Sequence, residues 1–188
     1  MILARPILAL LAAASSLVGC AQSGVIGGAD YAPQYDYGEF FAVTDGRNFQ
    51  VIVSGNPFPG LIEAEMKRRL LPVMKANKPR PNLTFTYQAP PERPHPDYRM
   101  VLVFNAANDL TAARVCAGEV WHKPAAARPF DLFAVYCRDD LALSQTTAWA
   151  VANGPDDPAV GQLFAQLFLV LFSDMPPRRF RPRPFMRW

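Results

Sequence analysis

The stretch 157-DPAVGQLFAQLFLVLF-172 decides the fold of this 188-residue chain. Asp157 is a good N-cap and Pro158 suits the first helical position. Gln162 and Gln166 mark one side of the predicted helix. The remaining faces carry a wide apolar stripe at helical spacing, formed by Val160, Leu163, Phe164, Leu167, Phe168 and Leu171. Sixteen residues with two glutamines are too short and too polar to span a bilayer, so we expect a helix buried in a globular domain.

A buried helix of this kind packs against other elements of the domain, and the sequence before it supplies strands. β-branched, alternating or continuous apolar patterns predict strands at 49–54, 83–87, 98–105, 113–122, 131–138 and 141–151. The last two resemble a hairpin with Asp139-Asp140 at the turn. A second helix starts near Ile62, and Pro72 is expected to end or kink it. The order predicts an α+β domain: a mainly antiparallel sheet of five to six strands with two helices packed on one face.

The composition predicts the limits of this domain. Residues 20–46 contain scattered glycines, which indicates a flexible tether, although Tyr31, Tyr35 and Tyr37 could instead dock on the domain. The single α+β domain is expected at 47–174, followed by a basic, proline- and arginine-rich tail at 175–188.

The first twenty residues have the layout of an export signal. Arg5 precedes an apolar run at 7–14, and the segment closes on Leu17-Val18-Gly19-Cys20. This motif resembles the lipobox of bacterial lipoproteins. The resemblance implies that residues 1–19 are a signal peptide, that Cys20 is acylated (palmitate is one such acyl chain) and that the protein is held on a membrane. Ala21 and Gln22 lack the aspartate that retains lipoproteins at the inner membrane, which implies the outer membrane, facing the periplasm.

Two other interpretations of this segment remain open. It could be an ordinary secretory signal, with Cys20 as an incidental thiol, or a retained membrane helix, for which the apolar stretch is short.

The two other cysteines, Cys116 and Cys137, are expected to form a disulfide, as an even pair in an exported chain commonly does. Both lie in strand-like sequence, so the bond is expected to join neighbouring strands. Two buried free thiols are the alternative.

The charge distribution argues against nucleic-acid binding. The formal charge is +3, but the tail holds five arginines and no acid: Arg178, Arg179, Arg181, Arg183 and Arg187. The body from Cys20 to Asp174 has thirteen basic and sixteen acidic residues, so it is slightly acidic. With its aromatic residues, the tail suits anionic lipid or an acidic envelope protein. A solvated, disordered end is the alternative.

Few residues indicate chemistry. Cys116, Glu119 and His122 occur at three-residue steps, but a strand would not place them on one face, so we expect no metal site and no cofactor. Cys116 and His122 could form a nucleophilic pair only if the thiol were free.

Two features lie between the first strand and the first helix. Ser54-Gly55-Asn56 resembles a nucleophile elbow but has no histidine nearby in sequence. The segment 55–60 could hold an anion at a helix N-terminus, although a structural turn is favoured.

The sequence therefore favours a lipid-anchored envelope protein with a binding or structural role rather than an enzyme. One alternative is an envelope hydrolase with a site built from aspartates and arginines that the sequence cannot pair, in which Asp109, Asp131 or Asp139 could line a pocket. The other is a carrier with an apolar cavity between the sheet and the helices. The expected partners are the membrane and an envelope component.

Overall fold

The structure, a computed structural model, describes residues 24–89, 91, 96–124 and 130–176. Its elements in chain order are β1 (Val25–Ile26), β2 (Asp30–Tyr31), α1 (Tyr37–Thr44), β3 (Asn48–Ser54), α2 (Glu63–Ala76), β4 (Thr84–Thr86), β5 (Tyr98–Phe104), α3 (Ala112–Cys116), β6 (Phe130–Arg138), β7 (Leu141–Ala150) and α4 (Pro158–Leu171). The predicted α+β fold is confirmed.

One mixed, mostly antiparallel sheet carries the fold. Its strand order is β1-β7-β6-β5-β3-β4, and β2 also pairs with β7. β3 is parallel to β4 and to β5, and the other pairs are antiparallel. The sheet has seven strands, more than the five to six expected, because two-residue strands such as β1 and β2 leave no period in the sequence. The predicted β6–β7 hairpin, with its turn at Asp139 and Asp140, is confirmed.

The strand directions bring several chain ends to one edge. β3, β5 and β7 run the same way, since β6 lies antiparallel between β5 and β7. We call the edge where these three strands finish the carboxyl end of the sheet. The N-termini of α2 and α4 follow β3 and β7, so they lie at this end too. β1 is antiparallel to β7 with Val25 opposite Trp149, so the chain also enters the fold at the carboxyl end.

One face of the sheet, the helix face, is covered by α1, α2 and α4. Its core is dominated by large side chains with no exposed surface, among them Phe40, Phe85, Phe104, Phe130, Tyr136, Phe164 and Phe168. The rings of Phe40 and Phe172 stack with centroids 4.3 Å apart, and Tyr136 meets Phe40 edge-on at 5.5 Å. The predicted stripe of α4 is buried in this layer, as expected.

The other face, the α3 face, carries a smaller core. Alternation along β5 sends Val101 and Val103 to this side, where α3 contributes Val115 and Cys116. The sequence prediction of a strand over 113–122 was wrong. Thr111 instead caps a helix whose last residue is Cys116. The Thr111 hydroxyl accepts a hydrogen bond from the Arg114 amide. Alanine and valine patterns of this length fit either element, and packing on β6 and β7 decides between them.

The predicted N-terminal boundary also differs from the structure. Residues 24–46 are part of the domain and not a tether, because they form β1, β2 and α1. The docking alternative is correct for all three tyrosines. Tyr31 donates to the Val170 carbonyl and Tyr35 to that of Ser173 (2.8 Å), and Tyr37 donates to the Arg80 carbonyl (3.3 Å). Gly27 adds a backbone hydrogen bond to Thr147 at 2.7 Å.

Pro72 does not end α2, which continues to Ala76. Proline removes one helical hydrogen bond and crowds the preceding turn. Met66, Leu70 and Met74 are fully buried, and Met74 lies beyond the proline. Burial of that side chain offsets the lost hydrogen bond.

Candidate functional site

A serine and a histidine meet at the carboxyl end of the sheet. Ser54 is the last residue of β3, and its hydroxyl lies 3.2 Å from Nε2 of His122. The two residues are 68 positions apart in sequence. Ser54 is half-buried and His122 is exposed, so the pair is accessible from solvent.

The hydrogen bonds of His122 fix which nitrogen carries the proton in the neutral ring. Nδ1 lies 2.8 Å from the backbone carbonyl oxygen of Phe104. A carbonyl oxygen only accepts, so Nδ1 must donate to it. Nε2 is then the acceptor, and the Ser54 hydroxyl donates to it. This is the arrangement in which an imidazole can take a proton from a serine hydroxyl.

The backbone around the pair depends on a glycine. Gly55 has φ +84°, a conformation that other residues rarely adopt. A Cβ atom at this position would lie 2.8 Å from the Phe104 carbonyl oxygen and 3.0 Å from Cε1 of His122. Only glycine therefore lets the chain turn after Ser54 while the imidazole stays against the end of β5.

Two short segments hold His122 in place. The amide of Ala107 donates to the Trp121 carbonyl (3.2 Å), and that of Lys123 donates to the Asn105 carbonyl (2.8 Å). Asn105 has φ +52°, which asparagine tolerates better than most residues. Its Oδ1 is buried and has no hydrogen-bond partner among the described residues.

The aspartates named from the sequence do not converge on a shared site. Asp109 accepts from Nε1 of Trp121 (2.9 Å), and Asp131 pairs with Lys123. Both lie on the His122 side of the fold. Asp139 lies at the opposite end of β6, in the turn to β7, where it accepts from the Asp97 amide. The nine residues of β6 place it about 25 Å from Asp131, too far to act with it.

The predicted disulfide is present. Cys116 and Cys137 are bonded, with their Cα atoms 5.6 Å apart. The bond joins α3 to β6 and not two strands, so the expectation of a strand-to-strand link was wrong. Because Cys116 is in this disulfide, it supplies no thiolate for His122. Within the described ranges no three metal-ligating side chains come together.

The turn after β3 is held by a side chain. Asn56 accepts from the Phe58 amide (2.8 Å), and its own amide donates to the Leu61 carbonyl (2.7 Å). These contacts support the structural interpretation of segment 55–60 over an anion cradle.

A second polar cluster lies at the other end of the sheet. Tyr98 donates to Glu39 (2.5 Å), which also accepts from Arg138 at 3.0 Å. Burial, followed by the hydrogen bond to Glu39 and then the charge of Glu39, raises the pKa of Tyr98 to about 12. Beside it, burial raises the pKa of Tyr136, whose hydroxyl has no hydrogen-bond partner among the described residues. These groups tie α1 to the sheet and lie far from Ser54.

An open groove of about 470 Å³ lies on the α3 face, between the start of α3 and the middle of β7. Leu110 and Phe133 supply its apolar lining, and Thr111 and Gln145 are among its polar residues. It is a surface depression and not a cavity between the sheet and the helices.

Several predicted features fall outside the described residues. These are Cys20 with the signal segment and the arginines of the tail. The tail begins beyond α4, whose C-terminus is at the end of the domain opposite to the carboxyl end of the sheet. Within the described ranges, no helix has the length and apolar character needed to cross a membrane.

Comparison with protein families, with curated proteins and with solved structures finds no match to this chain. The site must therefore be interpreted from its own geometry. Sequence reasoning singled out Ser54-Gly55-Asn56 but set it aside for want of a neighbouring histidine. In the sequence, His122 is a candidate only for a metal site with Cys116 and Glu119 or for a nucleophilic pair with Cys116. No sequence signal joins Ser54 to His122, because their contact depends on the pairing of β3 with β5.

Proposed function

We propose that this protein is a lipoprotein of the bacterial outer membrane, acylated at Cys20, which holds its α+β domain at the periplasmic surface and presents it to another envelope component. The observation that carries the proposal is the short distance from the lipobox-like motif to the fold. Cys20 precedes Gly24, the first described residue, by four positions, and β1 starts one residue later. The Cys116–Cys137 disulfide supports an oxidising compartment.

This spacing restricts how the domain sits on the membrane. Four residues span at most about 14 Å when fully extended. Since the chain enters at the carboxyl end of the sheet, that end stays close to the bilayer in the proposed protein. Two apolar side chains at this end are exposed: Ile62, before α2, at 75% and Val151, after β7, at 70%. They suit contact with the lipid headgroup region.

The arginine tail favours a partner on the other side. α4 has fourteen residues and is about 21 Å long, so the tail leaves the domain that far from the bilayer-facing end. We propose that its arginines contact an acidic envelope component on the periplasmic side. A carrier role is disfavoured, because aromatic side chains fill the space between the sheet and the helices.

Cys20 provides the test. We expect the full chain, expressed in a Gram-negative host, to incorporate labelled palmitate and to partition into detergent. Cys20→Ser should abolish both, whereas the matched double variant Cys116→Ser with Cys137→Ser should keep both. Ala21→Asp should move the acylated protein from the outer to the inner membrane.

The orientation is tested in the same membranes. A photoreactive lipid should label positions 62 and 151 in preference to Leu169, which is equally exposed at 71% but lies near the far end of α4. Palmitate incorporation in the Cys20→Ser variant would overturn the lipid anchor. Equal labelling at the three positions would overturn the orientation alone.

A further inference from the structure

We propose that Ser54 and His122 form a catalytic pair that hydrolyses carboxylic esters, with Ser54 as the nucleophile and His122 as the general base. The proposal goes beyond the binding role above and names catalytic residues for the alternative in which the protein is an envelope hydrolase. It stands on the Oγ–Nε2 contact of 3.2 Å, on the Nδ1 contact of 2.8 Å to the Phe104 carbonyl, and on the glycine that both require.

The position of Ser54 suits a nucleophile. It is the last residue of a strand, followed by a turn at positive φ and then by the loop into α2. Serine nucleophiles of several hydrolases are presented by such a strand-to-turn junction, because the sharp turn exposes Oγ above the sheet. A buried structural serine has no such requirement. Ser144 illustrates the contrast, since it lies inside β7 and donates to the Leu171 carbonyl.

The surroundings of Ser54 indicate the class of substrate. Ile52 precedes it by two residues on β3, so the two side chains lie on the same face of the sheet. This face of β3 is outside the core formed under α3, and Ile52 is 38% exposed. An exposed apolar side chain next to the nucleophile favours an apolar acyl group.

The reaction balances with these groups alone. Oγ of Ser54 bonds to the ester carbonyl carbon as its proton passes to Nε2 of His122. The bond from that carbon to the alcohol oxygen breaks, and Nε2 returns the proton to the departing alcohol, which leaves an acyl-serine. Water then attacks the acyl carbon, gives its proton to Nε2, and releases the carboxylic acid as Oγ regains the proton.

The group that orients His122 is a carbonyl dipole and not a carboxylate. It fixes the tautomer, but it stabilises the imidazolium ion less than a negative charge would. We therefore expect slow turnover with unactivated esters and clear acylation by activated ones. A covalent probe reports the nucleophile more directly than turnover does.

The lipid anchor suggests where the ester comes from, and this step rests on the proposed function. Ser54 and the entry of the chain lie at the same end of the sheet, four strand spacings apart, or about 19 Å. In the anchored protein the catalytic pair therefore lies near the bilayer, so we expect an ester that the membrane presents.

A fluorophosphonate probe tests the nucleophile on the full-length, acylated protein in membranes. We expect labelling of the wild type at Ser54, none in Ser54→Ala, and labelling at least about 100-fold slower in His122→Gln. Gln50→Ala, on the same strand and face, is the matched control and should label like the wild type. The thermal midpoints of all variants should agree within a few degrees. Ser54→Ala loses one exposed hydrogen bond, and His122→Gln loses that bond and the one to the Phe104 carbonyl.

Absence of labelling in the wild type, or labelling that persists in Ser54→Ala, would overturn the proposal. The source of the ester is tested by comparing p-nitrophenyl butyrate in detergent with diacyl phospholipid vesicles. Cys20→Ser should keep the probe reaction and the hydrolysis of p-nitrophenyl butyrate but lose activity on vesicles. Equal vesicle activity in that variant would contradict the membrane source and leave the nucleophile in place, so the two failures are distinguishable.

Discussion

The two faces of the sheet are built differently. The helix face buries a layer of aromatic rings under α1, α2 and α4, and many of these side chains have no exposed surface. The α3 face has a small core of alanine, valine and leucine under one five-residue helix, held to β6 by the disulfide. On β3, which lies two strands from β6 on this sheet, Ile52 and Ser54 stay accessible. Packing of aromatic rings therefore stabilises the helix face, whereas a disulfide supports the α3 face. The candidate site lies on the part of the α3 face that no helix covers.

The largest expected effect is on the helix face. Phe40→Ala removes a fully buried ring that contacts Phe49, Tyr136 and Phe172, so the free energy of unfolding should fall by about 3–5 kcal/mol. Urea denaturation measures this change. The neighbouring Phe41, which is 44% exposed, provides the control, and Phe41→Ala should cost less than about 1 kcal/mol. Equal losses in the two variants would mean that the aromatic layer does not dominate stability.

A smaller effect is expected on the α3 face. Replacing Cys116 and Cys137 together by alanine opens a link across 21 positions and should cost about 3 kcal/mol, because the unfolded chain gains freedom. Hydrogen exchange of the double variant should rise in α3 and stay slow in α4. Faster exchange in both helices would show that the disulfide supports the whole fold, which would remove the contrast between the faces.

The smallest expected effect comes from alkaline pH and concerns the helix face alone. Burial raises the pKa of Tyr98 to about 12 and shifts those of Tyr35, Tyr87 and Tyr136 in the same direction. The unfolded chain loses these protons near pH 10, whereas the folded chain keeps them. Their contribution to the free energy of unfolding should therefore be fully present below pH 10 and should be lost as the pH rises towards 12.

Thermal midpoints between pH 8 and pH 11, together with phenolate absorbance, measure this effect. Tyr98→Phe should weaken the pH dependence of the thermal midpoint, because phenylalanine has no hydroxyl group that can lose a proton. A midpoint that stays constant to pH 11 would contradict the raised pKa values.

Much of the fold could be predicted from local pattern. The β6–β7 hairpin and the capped, deeply apolar α4 were correct because their signals lie within each segment. The errors occurred where the local signal was short or ambiguous. Segment 113–122 combined a helix with a loop, and β1 and β2 are too short to leave a period.

The candidate site was less predictable. The disulfide followed from a count of cysteines, but its placement between a helix and a strand did not. In the sequence, Ser54 belongs to an elbow-like tripeptide and His122 lies near Cys116. Neither pattern predicts that Ser54 and His122 are in contact.

The sequence by itself determined the class of fold, the buried face of α4, the cysteine pairing and the lipobox-like start, because each rests on residue type and spacing within a segment or on a simple count. Only the tertiary structure decided that β1 and β2 join the sheet and that His122 meets Ser54. Both depend on which strands lie side by side. The strand pairing is selected because it buries both faces of the sheet at once. No single segment of the sequence encodes that pairing.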